Sequence, residues 1–180
     1  MIGYIEGTAG TTWQQMNRGL VLFDTSALTS GATISAAVLS IFGSSKLDES
    51  SDTPNIDVVT TTPASNTSLT GTDFAQFGSV SQTGSPITYA NWSTSAYNDF
   101  TFDATGRGNV SKIGISKFGF RNSNYDLAGS GPSYLANGKD QRLKGDYAET
   151  ADTTSDPKLV VTYTTGGGAA ATSPGWTKWW

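Results

Sequence analysis

The apolar residues of this chain recur every second position or run unbroken for a handful of residues, and no stretch sustains helical spacing beyond a turn or two. Period two puts successive side chains on opposite faces of an extended strand. In KLVVTYT, residues 158 to 164, Leu159, Val161 and Tyr163 share one face. Phe100 and Phe102 do the same in YNDFTFD (97 to 103), as do Phe118 and Phe120 in SKFGFRN (116 to 122). Strand alternation normally turns its apolar set inward, so these aromatics are assigned to the core. RGLVLFD (18 to 24) and TISAAVLSIFG (33 to 43) are compact runs rich in β-branched and aromatic residues, as in strands buried on both faces. With NIDVVTT (55 to 61), SPITYANW (85 to 92) and LKGDYAE (143 to 149), at least seven strands are predicted, separated by Ser, Thr and Gly turns. The expected fold is all-β, a jelly-roll β-sandwich. Two short helical turns are predicted as lids over it. One is TGTDFAQFG (70 to 78), capped by Thr72 with Phe74 and Phe77 on one face; the other is DATGRGNVSKIG (103 to 114), capped by Asp103.

Composition narrows the chemistry. The 180 residues suffice for one domain with a sizeable core. A net charge of -4 and an isoelectric point near 4.6 repel polyanions, so neither nucleic acid nor a membrane surface is an expected partner. No apolar run reaches membrane-spanning length. The chain holds no cysteine and no histidine, which removes disulfides, thiol nucleophiles, Ser-His-Asp chemistry and the commonest zinc ligands. Fifteen acidic residues are available for glycoside hydrolysis, yet no spacing singles out a pair facing each other across a cleft. The chain is therefore expected not to be an enzyme. MIGYIEGTAG shows no cationic segment followed by an apolar one, so no secretory signal is visible; the expected location is extracellular or on a virion surface, reached by lysis or as part of a larger exported protein.

The division predicted is an N-terminal arm over residues 1–17, a sandwich over 18–165, and a Gly/Ala linker with a Trp-rich tail over 166–180. Three of the five tryptophans lie in the last five positions, behind GGGAAATSPG. Large aromatics on such a linker suit a tail that docks, so Trp176, Trp179 and Trp180, with Tyr4 and Trp13 from the N-terminal arm, are expected to be intersubunit anchors. Exposed aromatics are also how sandwich modules stack on sugar rings, and Trp92, Tyr125 and Tyr134 are the residues assigned to that alternative. Tyr125 and Tyr134 fall in the long irregular segment 122 to 142, the kind of loop that carries function. Asp48, Glu49 and Asp52 cluster in one loop and offer hard oxygen ligands to calcium, although without the spacing of a strong loop site; solvated loop acids are the plain alternative.

RGLVLFDTSALTSGATISAAVLSIFG resembles the opening of DNRLRE-type domains, in which an arginine leads a run of this kind, and TSDPKLVVTYT resembles their closing strand. The resemblance covers residues 18 to 43 and 154 to 164, in the right order. It implies a jelly-roll module of the kind found in bacterial and archaeal surface proteins, in carbohydrate-binding parts of polysaccharide lyases, and in phage-like sequences. It implies no catalytic set, and it makes Arg18, Asp24 and Asp156 structural positions. The expected function is a structural subunit of an extracellular or virion assembly, such as a decoration or fibre protein, forming homo-oligomers or binding neighbouring subunits through its termini. A polysaccharide-binding module, with or without calcium, is the alternative.

Overall fold

A computed structural model describes residues 3–7, 13–49, 53–130, 139–148, 153–165 and 171–175. Ten antiparallel strands build it: β1 (Gly3–Gly7), β2 (Trp13–Asp24), β3 (Thr33–Asp48), β4 (Ile56–Thr61), β5 (Phe77–Ser81), β6 (Tyr97–Thr101), β7 (Ile115–Asn122), β8 (Lys139–Gly145), β9 (Lys158–Thr164) and β10 (Ala171–Gly175). Their hydrogen-bonded order is β10-β9-β3-β8-β1-β2-β7-β4-β5, with β6 on β3. The architecture is an all-β sandwich.

Two long strands tie its layers together by changing partners midway. β2 pairs with β1 from Trp13 to Arg18, then with β7 from Gly19 to Asp24. β3 pairs with β9 over residues 33–40 and with β6 over 38–42, so those two neighbours occupy opposite edges. From Gly43 onward β3 pairs with β8. The Asp146 N–H donates to the Phe42 carbonyl, while the Gly43 N–H donates to Ala96 on the β6 side. β8 and β9 therefore follow one another along the same edge of β3.

The core is what the alternation predicted. Phe100 of β6 faces Phe120 of β7 with ring centroids 5.4 Å apart, and Phe102 meets Phe118 at 4.8 Å, both in the inclined geometries that aromatic quadrupoles favour. Phe23, Leu39, Ile41, Val58, Leu143, Leu159 and Val161 close the cluster from the remaining strands.

Several local expectations are corrected. SPITYANW is not a strand: only Ile87 bridges Ile56, and Trp92 donates its N–H back to Thr88 to close a turn. The strand expected at 143–149 lies earlier, at Lys139–Gly145. The turn at Gly71–Gln76 is a 3-10 helix whose N-cap is Thr70, because the Asp73 carboxylate reaches back to the Thr70 N–H at 2.8 Å. The second turn, α1 (Ala104–Gly108), is capped as expected by Asp103, which accepts from the Gly106 N–H at 2.9 Å. The boundary at residue 17 falls inside β2, and β1 lies between β2 and β8, so the described part of the expected arm belongs to the sheet. The same holds for residues 171–175 of the expected linker, which form β10 along β9.

Candidate functional site

Arg18 stands at the position where β2 leaves β1 for β7. Its guanidinium forks onto Asp126, donating from Nε to Oδ2 at 2.8 Å and from Nη2 to Oδ1 at 2.6 Å, and its Nη1 donates to the Phe74 carbonyl. Arg121, at the end of β7, forks onto the same carboxylate at 3.0 and 2.8 Å, and also donates to the Asp126 and Gly78 carbonyls. Asp126 is held in a single π-helical turn, Ser123–Leu127, whose start is fixed by the Asn122 side chain accepting from the Tyr125 N–H. Burial pushes the Asp126 carboxyl up, but the hydrogen bonds and charges of Arg18 and Arg121 outweigh it and hold the group below the ordinary carboxylate range. Two cations share one anion, and three backbone carbonyls take up the surplus donors. The carboxylate accepts four hydrogen bonds, and the cluster's work is to lock β2, β7 and the chain around Phe74 together.

Beside it lies an apolar groove of about 370 Å³, lined among others by Arg18, Leu69, Phe74, Asp146, Tyr147 and Pro157. β2 supplies Arg18 to Val21, the chain just after β8 supplies Asp146 and Tyr147, and Pro157 comes from just before β9. The Phe74 ring stacks over the Arg18 guanidinium at 4.0 Å, and Phe77 approaches it at 5.6 Å. One wall is the segment before β5, fixed by Asp73, which accepts from the N–H groups of Ala64 and Thr70. Those bonds, Ala64 first, lower the Asp73 carboxyl from its ordinary value. A smaller hollow of about 200 Å³ continues the groove past Leu20 and Leu69 toward Leu22. Among the described residues five large apolar side chains are markedly exposed, and three of them, Leu69, Phe74 and Tyr147, line this one groove. Such a recess suits an apolar or aromatic group, and Asp146 on its rim suits a cation attached to that group.

The residues predicted from sequence are scattered. Trp92 is 2% exposed and packs in the core, so it offers no ring face to a sugar and the stacking role assigned to it is corrected. Its loop is pinned by Lys46, whose Nζ donates to the Tyr89 and Trp92 carbonyls at 2.9 and 3.0 Å. Tyr125 is half-buried in the π turn, away from the groove lining. Tyr134, Trp176, Trp179 and Trp180 lie outside the described residues, and of Tyr4 and Trp13 only the strand backbone is described. Asp48 accepts from the Thr53 N–H at 2.9 Å and Glu49 from the Asp140 N–H at 3.0 Å, while Asp52 lies outside the described residues. Among the described residues no three acidic side chains gather into a group able to hold a metal ion. Arg18, a structural position by resemblance, has a structural role here. Asp126, Arg121 and the groove were missed; the pairing of Phe74 and Phe77 on one face of a short turn was the one legible sign of them. No protein-family model matches the chain, and neither a curated protein nor a solved structure shows significant similarity to it.

Proposed function

We propose that this protein is a non-enzymatic structural subunit of an extracellular or virion assembly, joined to its neighbours by strand addition. The observation that carries the reading is the edge strand β5. It ends the hydrogen-bonded order of the sheet, its sequence FGSVS holds neither charge nor proline, and Val80 stands 61% exposed on it. Edge strands are templates for another chain through their unpaired backbone groups, and soluble proteins usually guard them with charge, proline or a bulge. β5 has no charge or proline, but its pairing with β4 shifts register between Val59 and Thr61. Its Gly78 and Val80 carbonyls are held by Arg121 and Gln82, so strand addition would use its remaining backbone groups. The opposite edge, β10, carries Pro174, which removes a donor there. The low charge, the abundance of Gly, Ser and Thr, and the resemblance of residues 18 to 43 and 154 to 164 to DNRLRE-type domains also support a surface or virion module.

In this reading the intersubunit contact moves from the chain ends to β5, since β1 and β10 are hydrogen-bonded within their own chain. The test is molar mass by light scattering across a concentration series, for the unaltered chain and for Val80→Lys. Concentration-dependent oligomers that Val80→Lys disperses into folded monomers are expected. A monomer at every concentration, or oligomers indifferent to Val80→Lys, would overturn the assignment.

A further inference from the structure

The C-terminal strand delivers the chain to the wall of the apolar groove. β10 runs antiparallel to β9 with Gly175 opposite Leu159. Continued in the same register, two further residues would reach the level of Pro157, which lines the groove, about 7 Å beyond Gly175. The chain beyond that level is KWW, residues 178–180, and extended it spans roughly 10 Å. That is enough to pass from the Pro157 wall into the recess.

The chemistry of this segment complements the lining. The segment carries three indoles, and the exposed surface of the recess is Leu69, Phe74 and Tyr147. Lys178 lies between those indoles in sequence, and Asp146 lies on the rim. Arg18, the one cation in the lining, shares the Asp126 carboxylate with Arg121, while two carboxylates, Asp73 and Asp146, line the groove, and these are what an incoming positive charge would meet. A volume of about 370 Å³ is on the scale of a small-ligand pocket, suited to one or two aromatic side chains and too small for a folded partner.

We propose that the groove is the receptor for residues 176–180 of the same chain, which pass Pro157 and Tyr147 and latch that wall to β2. The latch covers the largest cluster of exposed apolar side chains among the described residues and ties the edge strand β10 to the layer it does not pair with. It stands apart from the assembly reading, which rests on β5.

The experiment uses the full chain, labelled throughout with fluorotryptophan and with each fluorine signal assigned by single Trp→Phe variants. Accessibility is read from broadening by a soluble gadolinium chelate, with molar mass measured on the same samples. At least one of the Trp176, Trp179 and Trp180 signals is expected to be shielded, as buried Trp92 is, and to stay shielded on dilution. That shielding is lost in Leu69→Glu and in Tyr147→Ser, two changes at exposed positions, and kept in Ile113→Glu, which is equally exposed but away from the groove. The latch is refuted if all three tail signals are open to the chelate in the unaltered chain. It is also refuted if their shielding survives both groove variants, or if shielding and molar mass fall together on dilution, which would seat the tail on a second copy.

Discussion

Replacing Asp126 by asparagine keeps the shape of the side chain and removes the charge that two arginines share. Four guanidinium N–H groups donate to its two oxygens, at 2.6 to 3.0 Å. In Asp126→Asn one oxygen becomes an NH2 group that points donors at donors, and Arg18 and Arg121 are left as adjacent cations without an anion. Breaking a fully buried ion pair by removing one partner costs about 3–5 kcal/mol. The arginine side chains keep 12% and 11% of their surface in water, which places the expected loss at the lower end, about 3 kcal/mol. For a chain of this length that corresponds to a fall in Tm of roughly 6–12 °C. Urea unfolding followed by circular dichroism is the assay, and the midpoint should fall with the slope unchanged. A loss below about 1 kcal/mol would refute the reasoning, because it would mean that water already screens the pair as it screens a surface salt bridge.

The same carboxylate sets a pH dependence. Because the folded pKa of Asp126 is depressed, its contribution is fully present above the unfolded value, about 3.9, and is lost as pH falls through the folded value. Asp73 shifts in the same direction. Thermal scans should therefore show stability dropping below about pH 4, with a shallower drop in Asp126→Asn. Separately, a Cβ at position 119 would run into the Phe77 ring that packs beside Arg18. Gly119→Ala should cost about 1–3 kcal/mol by overpacking, and less than that on a Phe77→Ala background, measured as a urea double-mutant cycle.

Strands whose apolar pattern and burial agree were legible in advance. KLVVTYT became β9 with the predicted bounds, and the paired phenylalanines of β6 and β7 meet across the core. β1, β5 and β10 were missed because GYIEG, FGSVS and ATSPG carry too few apolar residues to show a period, and they exist because a neighbouring strand presents unpaired backbone groups. SPITYANW failed the other way: its composition favours a strand, but Lys46 and the Thr88 turn take its backbone groups and Trp92 goes to the core.

The candidate site was hidden for a related reason. Arg18 and Asp126 are 108 residues apart, and nothing in either neighbourhood marks the other. The resemblance gave Arg18 a structural place without a partner, and the groove beside it is formed by pieces of five separate segments. The sequence by itself determined the layer type and the apolar core, because period-two patterning is local and must be buried one face at a time. The absence of cysteine and histidine likewise closed off whole classes of chemistry before any fold was known. Only the tertiary structure decided which charges pair, which strand ends the sheet and where exposed apolar side chains converge, since each depends on which strands become neighbours, and backbone pairing carries no signature in the side chains of either strand alone.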